Sequence, residues 1–312
     1  MAFLGIDTSN YTTSAAIFDG KDVVQSKKLL PVREGELGIR QSDAVFHHVR
    51  QLPQIVEALG RTDKAEIEAV GVSVRPRPIE GSYMPCFEAG HSTARVLASV
   101  LGVPLYCFSH QEGHIAAAAY SAGFSPNVGD RFCAFHVSGG TTEAVLVKCG
   151  EYGYETEYLC GSLDLKAGQA VDRTANMLSL PFPGGAHLEK LALCWNEPIK
   201  GLKVAKKGMD ICLSGVENIC RKMKSDGQPD EKIARTCIEY IRRALMHMAD
   251  SILEKYGDIP LLFAGGVMSN SIIREDFTKR YGAYFAKPEF SCDNAAGIAI
   301  LASRAFEDRS GR

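Results

Sequence analysis

An α/β fold built twice, with two lobes facing each other across a cleft, is what this sequence predicts, and three observations predict it. Two short β-rich runs near the start, AFLGID and TTSAAIFDG, flank the small polar TSNY, the pattern of a hairpin with a tight turn. At 132–150 the pattern returns: FCAFHV and TEAVLVKCG flank SGGT, and Thr12-Thr13-Ser14-Ala15 lines up with Thr141-Thr142-Glu143-Ala144. Finally, 312 residues can bury the core that two packed lobes need.

The elements follow in order. Residues 41–60 carry helical apolar spacing that ends in Gly60, AEIEAVGVSV is strand-like, and 88–101 is helical again. SHQEGHIAAAA opens another helix. Residues 162–180, 185–193, 228–256 and 293–307 read as helices, while PLLFAG is a buried strand that breaks at Gly265-Gly266. Residues 197–209 (EPIKGLKVAKKGM) are expected to be an irregular basic surface segment. The predicted division is one lobe over 1–108, completed by 294–312, and a second over 109–293.

Lys plus Arg (35) and Asp plus Glu (37) nearly cancel, so a nucleic-acid partner must be held by a local basic patch and not by a global field. The ten cysteines are scattered without a C-x-x-C pair, as free thiols of a reducing compartment are. MAFLGIDTSN has no basic leader pattern, and no apolar run approaches the roughly 20 residues of a membrane span. Together these point to the cytosol and to no membrane partner.

Several residues carry candidate chemistry. His110 and His114 stand four apart ahead of good helix formers, so both imidazoles project from one helical face. That suits two ligands of one metal, and it also occurs among hydrogen-bonded or surface histidines. A protease of the H-E-x-x-H type is disfavoured. There the Glu sits about 100° round the helix from the first His, whereas Glu112 sits about 200° away. Ser138-Gly139-Gly140 lets backbone amides approach a phosphate, although an ordinary hairpin turn uses the same residues. Gly265, Gly266 and Asn270 lie beyond the carboxyl end of a strand, where α/β folds place ligands or simply a tight strand-to-helix turn. Asp172 shares a helical face with Gly168 and can accept from ribose hydroxyls or sit solvated, while the Gly184-Gly185 turn admits a flat ligand. Asp293 precedes a helix, either as its N-cap or as an oxygen ligand.

Taken in order, LGIDTS, H-x-E-G-H, VSGGTT, the D-x-x-x-G-x-A-x-D helix with FPGG, Ser214-Gly215, LLFAGGVMSN and CDNAAGIA span essentially the whole chain. In these blocks the sequence resembles the tRNA threonylcarbamoyladenosine synthase family, formerly called O-sialoglycoprotein endopeptidases, whose fold is the duplicated actin-like ATPase fold with a nucleotide cleft. The resemblance implies one transition metal, iron or zinc, on His110, His114 and Asp293. It implies adenine-nucleotide binding, as ATP or a carbamoyl-adenylate, by Val137, Ser138, Gly139, Gly140, Thr141, Asp172, Gly185 and Asn270, with Gly265 and Gly266 at the adjoining turn. The implied reaction is transfer of a threonylcarbamoyl group from its adenylate to N6 of adenosine in a tRNA anticodon loop. No residue is singled out as catalytic. Implied partners are tRNA, a paralogous subunit of the same fold and a small ATPase.

The chain departs from that family at several points. T-S-C-D-E-T is replaced by Thr8-Ser9-Asn10-Tyr11-Thr12-Thr13, G-P-G by Arg75-Pro76-Arg77, the residue after SGG is Thr141, and Gln169 stands where an acidic residue is common. Two further readings therefore stand beside the transferase: a divergent paralogue that carbamoylates another acceptor, and a nucleotide-binding scaffold without catalysis. Lys200, Lys203, Lys206, Lys207, Arg221, Lys222 and Lys224 are candidates for a tRNA-facing patch, or for an ordinary solvated surface.

Overall fold

The computed structural model describes residues 1–9, 11–31, 39–60 and 66–310; Asn10, named above, lies outside them. Strands β1 (Ala2–Ser9), β2 (Thr12–Phe18), β3 (Val23–Leu29), β4 (Ile67–Arg75) and β5 (Leu105–Ser109) form one sheet in the order β3-β2-β1-β4-β5. Strands β6 (Arg131–Val137), β7 (Thr142–Cys149), β8 (Tyr154–Gly161), β11 (Leu261–Ala264) and β12 (Tyr284–Phe285) form another, in the order β8-β7-β6-β11-β12. The wiring is the same in both. Three successive strands lie side by side and two later ones add beyond the first, which is the duplication expected from the paired hairpins.

In the first sheet β1 pairs antiparallel with β2 from Phe3↔Phe18 to Ser9↔Thr12, and parallel with β4. All eight residues of β1 are buried, so both its faces are covered. On one side lie α1 (Gln41–Ala58) and α2 (Phe87–Leu101), which pack Leu52, Ile55, Ala94 and Ala98 against Leu4, Ile6, Val70 and Val72. Each buried Leu, Ile or Val side chain there contributes about 1.5–3 kcal/mol. On β1 and β4 also rests α9 (Ala296–Ser310), beside α3 (His110–Ser121).

The second sheet is filled from within by Phe135, Phe263 and Phe285, whose rings stack, and Phe277 meets Phe263 edge-on. Helices α4 (Ala167–Met177), α5 (Gly185–Ala192), α6 (Ser214–Ser225), α7 (Asp230–Tyr256) and α8 (Ser271–Tyr281) belong to the same half. A separate small ribbon pairs β9 (Ala205–Lys207) with β10 (Asp210–Cys212).

The division differs from the expected one. One compact unit comprises 1–130, 148–155 and 289–312, and the other 131–147 and 156–288. Residues 109–130 join the first unit because α3 packs along α9 at a glycine contact: a Cβ on Gly297 would fall 1.8 Å from the Gly113 carbonyl oxygen. All three expected metal ligands therefore belong to the first unit, and the SGG turn with Asp172, Gly185, Gly265, Gly266 and Asn270 to the second.

Some expected boundaries also move. Residues 162–166 are not helical, since the Asp164 carboxylate takes the N–H groups of Leu165, Leu213 and Ser214 and bends the chain before α4. Residues 228–229 precede α7, whose N-cap is Pro229. The basic 197–209 segment is only partly irregular. It contains β9, and Arg243 anchors it through the carbonyls of Ile199 and Leu202 at 2.8 Å each. Among the described residues no helix is long and apolar enough to cross a membrane.

Candidate metal centre and anion-binding loops

The first site is made of side chains. Ser109 caps α3: its hydroxyl accepts from Glu112 N–H, while the Glu112 carboxylate receives the Ser109 N–H and hydroxyl, both at 2.7 Å. The other Glu112 oxygen takes the Tyr154 N–H at 3.2 Å. Glu112 is thus a buried brace that fixes where the helix begins. One turn then separates His110 from His114, and their Nε2 atoms lie 2.9 Å apart.

Asp293 completes the cluster. Its Oδ1 is 3.2 Å from His114 Nε2 and 3.5 Å from His110 Nε2. Of the two readings of this residue, the capping one fails: Asn294 is the residue whose Oδ1 accepts from Ala296 N–H at the head of α9. The other oxygen, Oδ2, accepts from the Thr12 hydroxyl at 3.2 Å. Behind His110 stands Asp7, fully buried, whose Oδ2 is 2.7 Å from His110 Nδ1 and whose Oδ1 accepts from Ser9 N–H at 2.9 Å. A proton on Nδ1 shared with Asp7 turns the Nε2 lone pair toward His114 and Asp293.

The three donor atoms form a triangle with edges of 2.9, 3.2 and 3.5 Å. Ligands about 2.0–2.2 Å from a four-coordinate ion are roughly 3.3–3.6 Å apart, so the set has the size of one face of a coordination polyhedron. Electrostatics agree. Burial pulls the His110 pKa down, but the Asp7 charge and the bonds to Asp293 and Asp7 more than offset it and hold it at about 10. Burial pushes Asp293 up, yet its bonds to His110 and His114 bring it far below the usual carboxylate range. Asp7 is likewise raised by burial and lowered, on balance, by His110. Two carboxylates, Asp7 and Asp293, set against the two imidazoles make this a place for a cation, for which a proton competes, and these residues fit a divalent transition metal.

The second site is made of backbone. Ser138 and Thr141 close the turn on each other, Ser138 N–H to Thr141 O at 2.7 Å and Thr141 N–H to Ser138 Oγ at 3.1 Å, so Gly139 and Gly140 stand exposed between them. A Cβ added to either would meet nothing within 4 Å. Gly168 N–H donates to Ser138 O at 3.0 Å, seating the head of α4 on this turn. The Val137 side chain is buried, so it can offer a ligand only backbone. Gly265 has φ +102° and would place a Cβ 2.3 Å from Val137 O, which leaves glycine as the one residue that fits there.

Two other expected ligand residues carry structural bonds. Asp172 Oδ1 accepts from Gly184 N–H at 2.9 Å, which fixes the turn ahead of Gly185, itself in open space. Asn270 caps α8 by accepting from Ile273 N–H at 3.2 Å. Asp164, not singled out from sequence, joins two quoted motifs by holding the Ser214 N–H and hydroxyl. Asp7 and Thr12 were also missed as site residues; the available signal was the acid and hydroxyls in LGIDTS and the strand after it.

The family model for tRNA N6-adenosine threonylcarbamoyltransferase matches residues 22–300. The tRNA N6-adenosine threonylcarbamoyltransferase of Brucella anthropi is 31% identical over 330 residues, covering 96% of this chain and 88% of that protein. Among solved structures, HypF of T. kodakarensis superposes with a TM-score of 0.58 at 12% identity, covering 99% of this chain and 47% of that one. The activator of 2-hydroxyisocaproyl-CoA dehydratase from Clostridium difficile with bound ADPNP superposes with a TM-score of 0.52 at 14% identity, covering 100% and 98%. At such identities the likeness concerns the fold, which is that of the actin-like ATPases.

Proposed function

Because this chain belongs to the tRNA N6-adenosine threonylcarbamoyltransferase family, we propose that it transfers a threonylcarbamoyl group from threonylcarbamoyl-AMP to N6 of adenosine in a tRNA anticodon loop, with one transition metal held by His110, His114 and Asp293. The observation that carries this reading is the convergence of those three donor atoms, all within 4.8 Å of one another, with Asp7 behind His110.

The reaction forms a C–N bond between the adenosine amine and the carbamoyl carbon and breaks the bond from that carbon to the phosphate oxygen, releasing AMP and one proton of the amine. A divalent ion, iron or zinc, would supply Lewis-acid polarisation of a carbonyl oxygen. Asp7 keeps the proton of His110 on Nδ1 and so orients the ring. The Gly139 and Gly140 amides are free of side-chain obstruction and suit the adenylate phosphate, with Asp172 and Gly185 toward the nucleoside. Lys200, Lys203, Lys206, Lys207 and Lys222 are exposed and suit an RNA backbone. Arg221 and Lys224 suit it less, since they pair with Glu217 and Asp230. A paralogous subunit and a small ATPase belong to the same proposal as partners.

The experiment has two parts. The purified chain should carry about one equivalent of a first-row transition metal, and the His110→Ala/His114→Ala protein should carry none. Metal content unchanged in the double variant would remove the ligand assignment. In a strain whose only copy is this chain, with partners supplied, mass spectrometry of tRNA nucleosides should find threonylcarbamoyladenosine.

A different acceptor is favoured by one observation. Pro76 O accepts from Gln111 N–H at 3.0 Å, which sets the Arg75-Pro76-Arg77 turn against the first turn of the helix that carries His110. Absence of the tRNA product together with normal metal and nucleotide binding would select that reading.

A further inference from the structure

The backbone on both sides of Asp293 is tied down. Lys27 on β3 donates to Glu289 O at 3.4 Å and lies 2.8 Å from Cys292 Sγ. Asn294 donates to Phe290 O and Cys292 O and accepts from Ala296 N–H. What remains is the rotation of the Asp293 carboxylate itself: Oδ1 faces His114 and His110, and the contact that holds Oδ2 is the Thr12 hydroxyl. Thr12 is buried, on a strand paired to β1 on one side and β3 on the other, so the backbone that carries its hydroxyl is held in place.

Position 12 is also where this chain departs from the T-S-C-D-E-T motif, for the glutamate of that motif falls there. A carboxylate in place of the hydroxyl would face Oδ2 of Asp293, and two anions at that spacing repel unless a further cation lies between them. With threonine, the two carboxylates Asp7 and Asp293 are balanced by one doubly charged ion on neutral imidazoles, and a neutral donor holds the spare oxygen.

We infer that Thr12 is a positioning residue of this centre: its hydroxyl holds Oδ2 of Asp293 so that only Oδ1 is offered beside His110 and His114, giving a charge-balanced site for a single ion. The inference rests on the proposed metal reading, which it sharpens. Without the hydroxyl, Oδ2 loses its donor and Asp293 is held only through Oδ1, so the carboxylate can turn to offer both oxygens.

The test uses the full chain as Thr12→Val, which keeps shape and removes the hydroxyl, and as Thr12→Ser, which keeps the hydroxyl. Zn²⁺ affinity is measured by competition with a chromophoric chelator, and the ligand set by the visible d–d absorption of the Co²⁺-loaded protein. Loss of a group that orients a ligand typically weakens metal binding 10–100-fold. The Val form should therefore bind at least about tenfold more weakly with an altered Co²⁺ band, and the Ser form should match the parent in both. All three should melt at the same temperature in excess chelator.

A Val form equal to the parent in affinity and band overturns the inference, as does a Ser form no better than the Val form. A Val form that melts earlier in chelator also overturns it, because the hydroxyl would then be holding the fold and not the ligand. A parent chain without metal affinity sinks the metal reading along with it. A parent that binds, loses binding in His110→Ala/His114→Ala and keeps it in Thr12→Val, sinks the role of Thr12 alone.

Discussion

The two candidate sites are built from opposite materials. In the first unit the candidate ligand atoms belong to side chains, and bracing surrounds them: Asp7 behind His110, Thr12 behind Asp293, Glu112 beneath the helix that carries both histidines. In the second unit the candidate contacts are largely backbone amides on glycines with open space around them. A small multivalent cation needs a few atoms fixed to a fraction of an ångström, whereas an anion as large as a phosphate needs several donors and room. Bracing and openness answer those two needs.

That contrast breaks most visibly if Gly297→Ala is tolerated. Its Cβ would lie 1.8 Å from Gly113 O and 2.8 Å from Ala117 N, so α9 and α3 must separate, and Asp293 must move away from His110 and His114. Backbone atoms cannot yield as a flexible side chain can, so the loss of stability should be about 3 kcal/mol or more, at or above the upper end of ordinary overpacking. Metal content should fall with it. Chemical denaturation and metal analysis of the variant check both, and an unchanged midpoint would show that the helix contact does not set the site.

How much of this was legible in the sequence follows from the same contrast. His110 and His114 sit one helical turn apart, so their shared face could be read from spacing alone. Asp293 was ambiguous, because a residue ahead of a helix is a cap or a ligand with equal ease, and the Asn294 bond at the head of α9 speaks only against the cap. Asp7 could not be paired with His110, 103 residues away, since that pairing depends on β1 lying beside β4 and β4 beside β5. The paired hairpins announced the duplication. The compact units do not follow the expected lobe boundary, since α3 joins the first unit through its glycine contact with α9, and such a contact leaves no apolar periodicity to read. Asp164, a loop residue, shortened the expected helix through bonds to residues about 50 positions on.

A second measurement sharpens the bracing of the first unit by titrating it. His48 is wholly buried on α1, its Nδ1 2.8 Å from the Thr13 hydroxyl, which also donates to Gln51. Burial lowers its pKa from 6.5 to about 4, only partly countered by the Asp7 charge. Above pH 6.5 the ring is neutral in both states and stability is full. Between about 6.5 and 4 the unfolded chain takes up the proton and the folded one does not, so stability falls as pH falls, by about 3 kcal/mol at most. Below 4 both states are protonated and the loss is complete. His48→Asn removes the titration, so urea unfolding at pH 7 and pH 4.5 should show a smaller pH loss in the variant than in the parent. Equal losses would place the acid sensitivity of this unit elsewhere.

The smallest expected effect belongs to the open site, and it separates ligand contact from folding. A Cβ at Gly140 meets nothing within 4 Å, and its φ is not in the left-handed region, so Gly140→Ala should leave stability within about 0.5 kcal/mol of the parent. The same methyl group would stand where a phosphate approaches the turn amides, holding its oxygens off the Gly139 and Gly140 N–H groups. One hydrogen bond to a charged acceptor is worth about 1.5–3 kcal/mol, so AMP or ATP affinity measured by calorimetry should fall about tenfold or more while the melting temperature stays put. In Gly297→Ala the two quantities fall together; in Gly140→Ala they should part. If nucleotide affinity is unchanged in Gly140→Ala, the anion does not sit on the SGG turn, and the second unit's openness there is that of an ordinary hairpin.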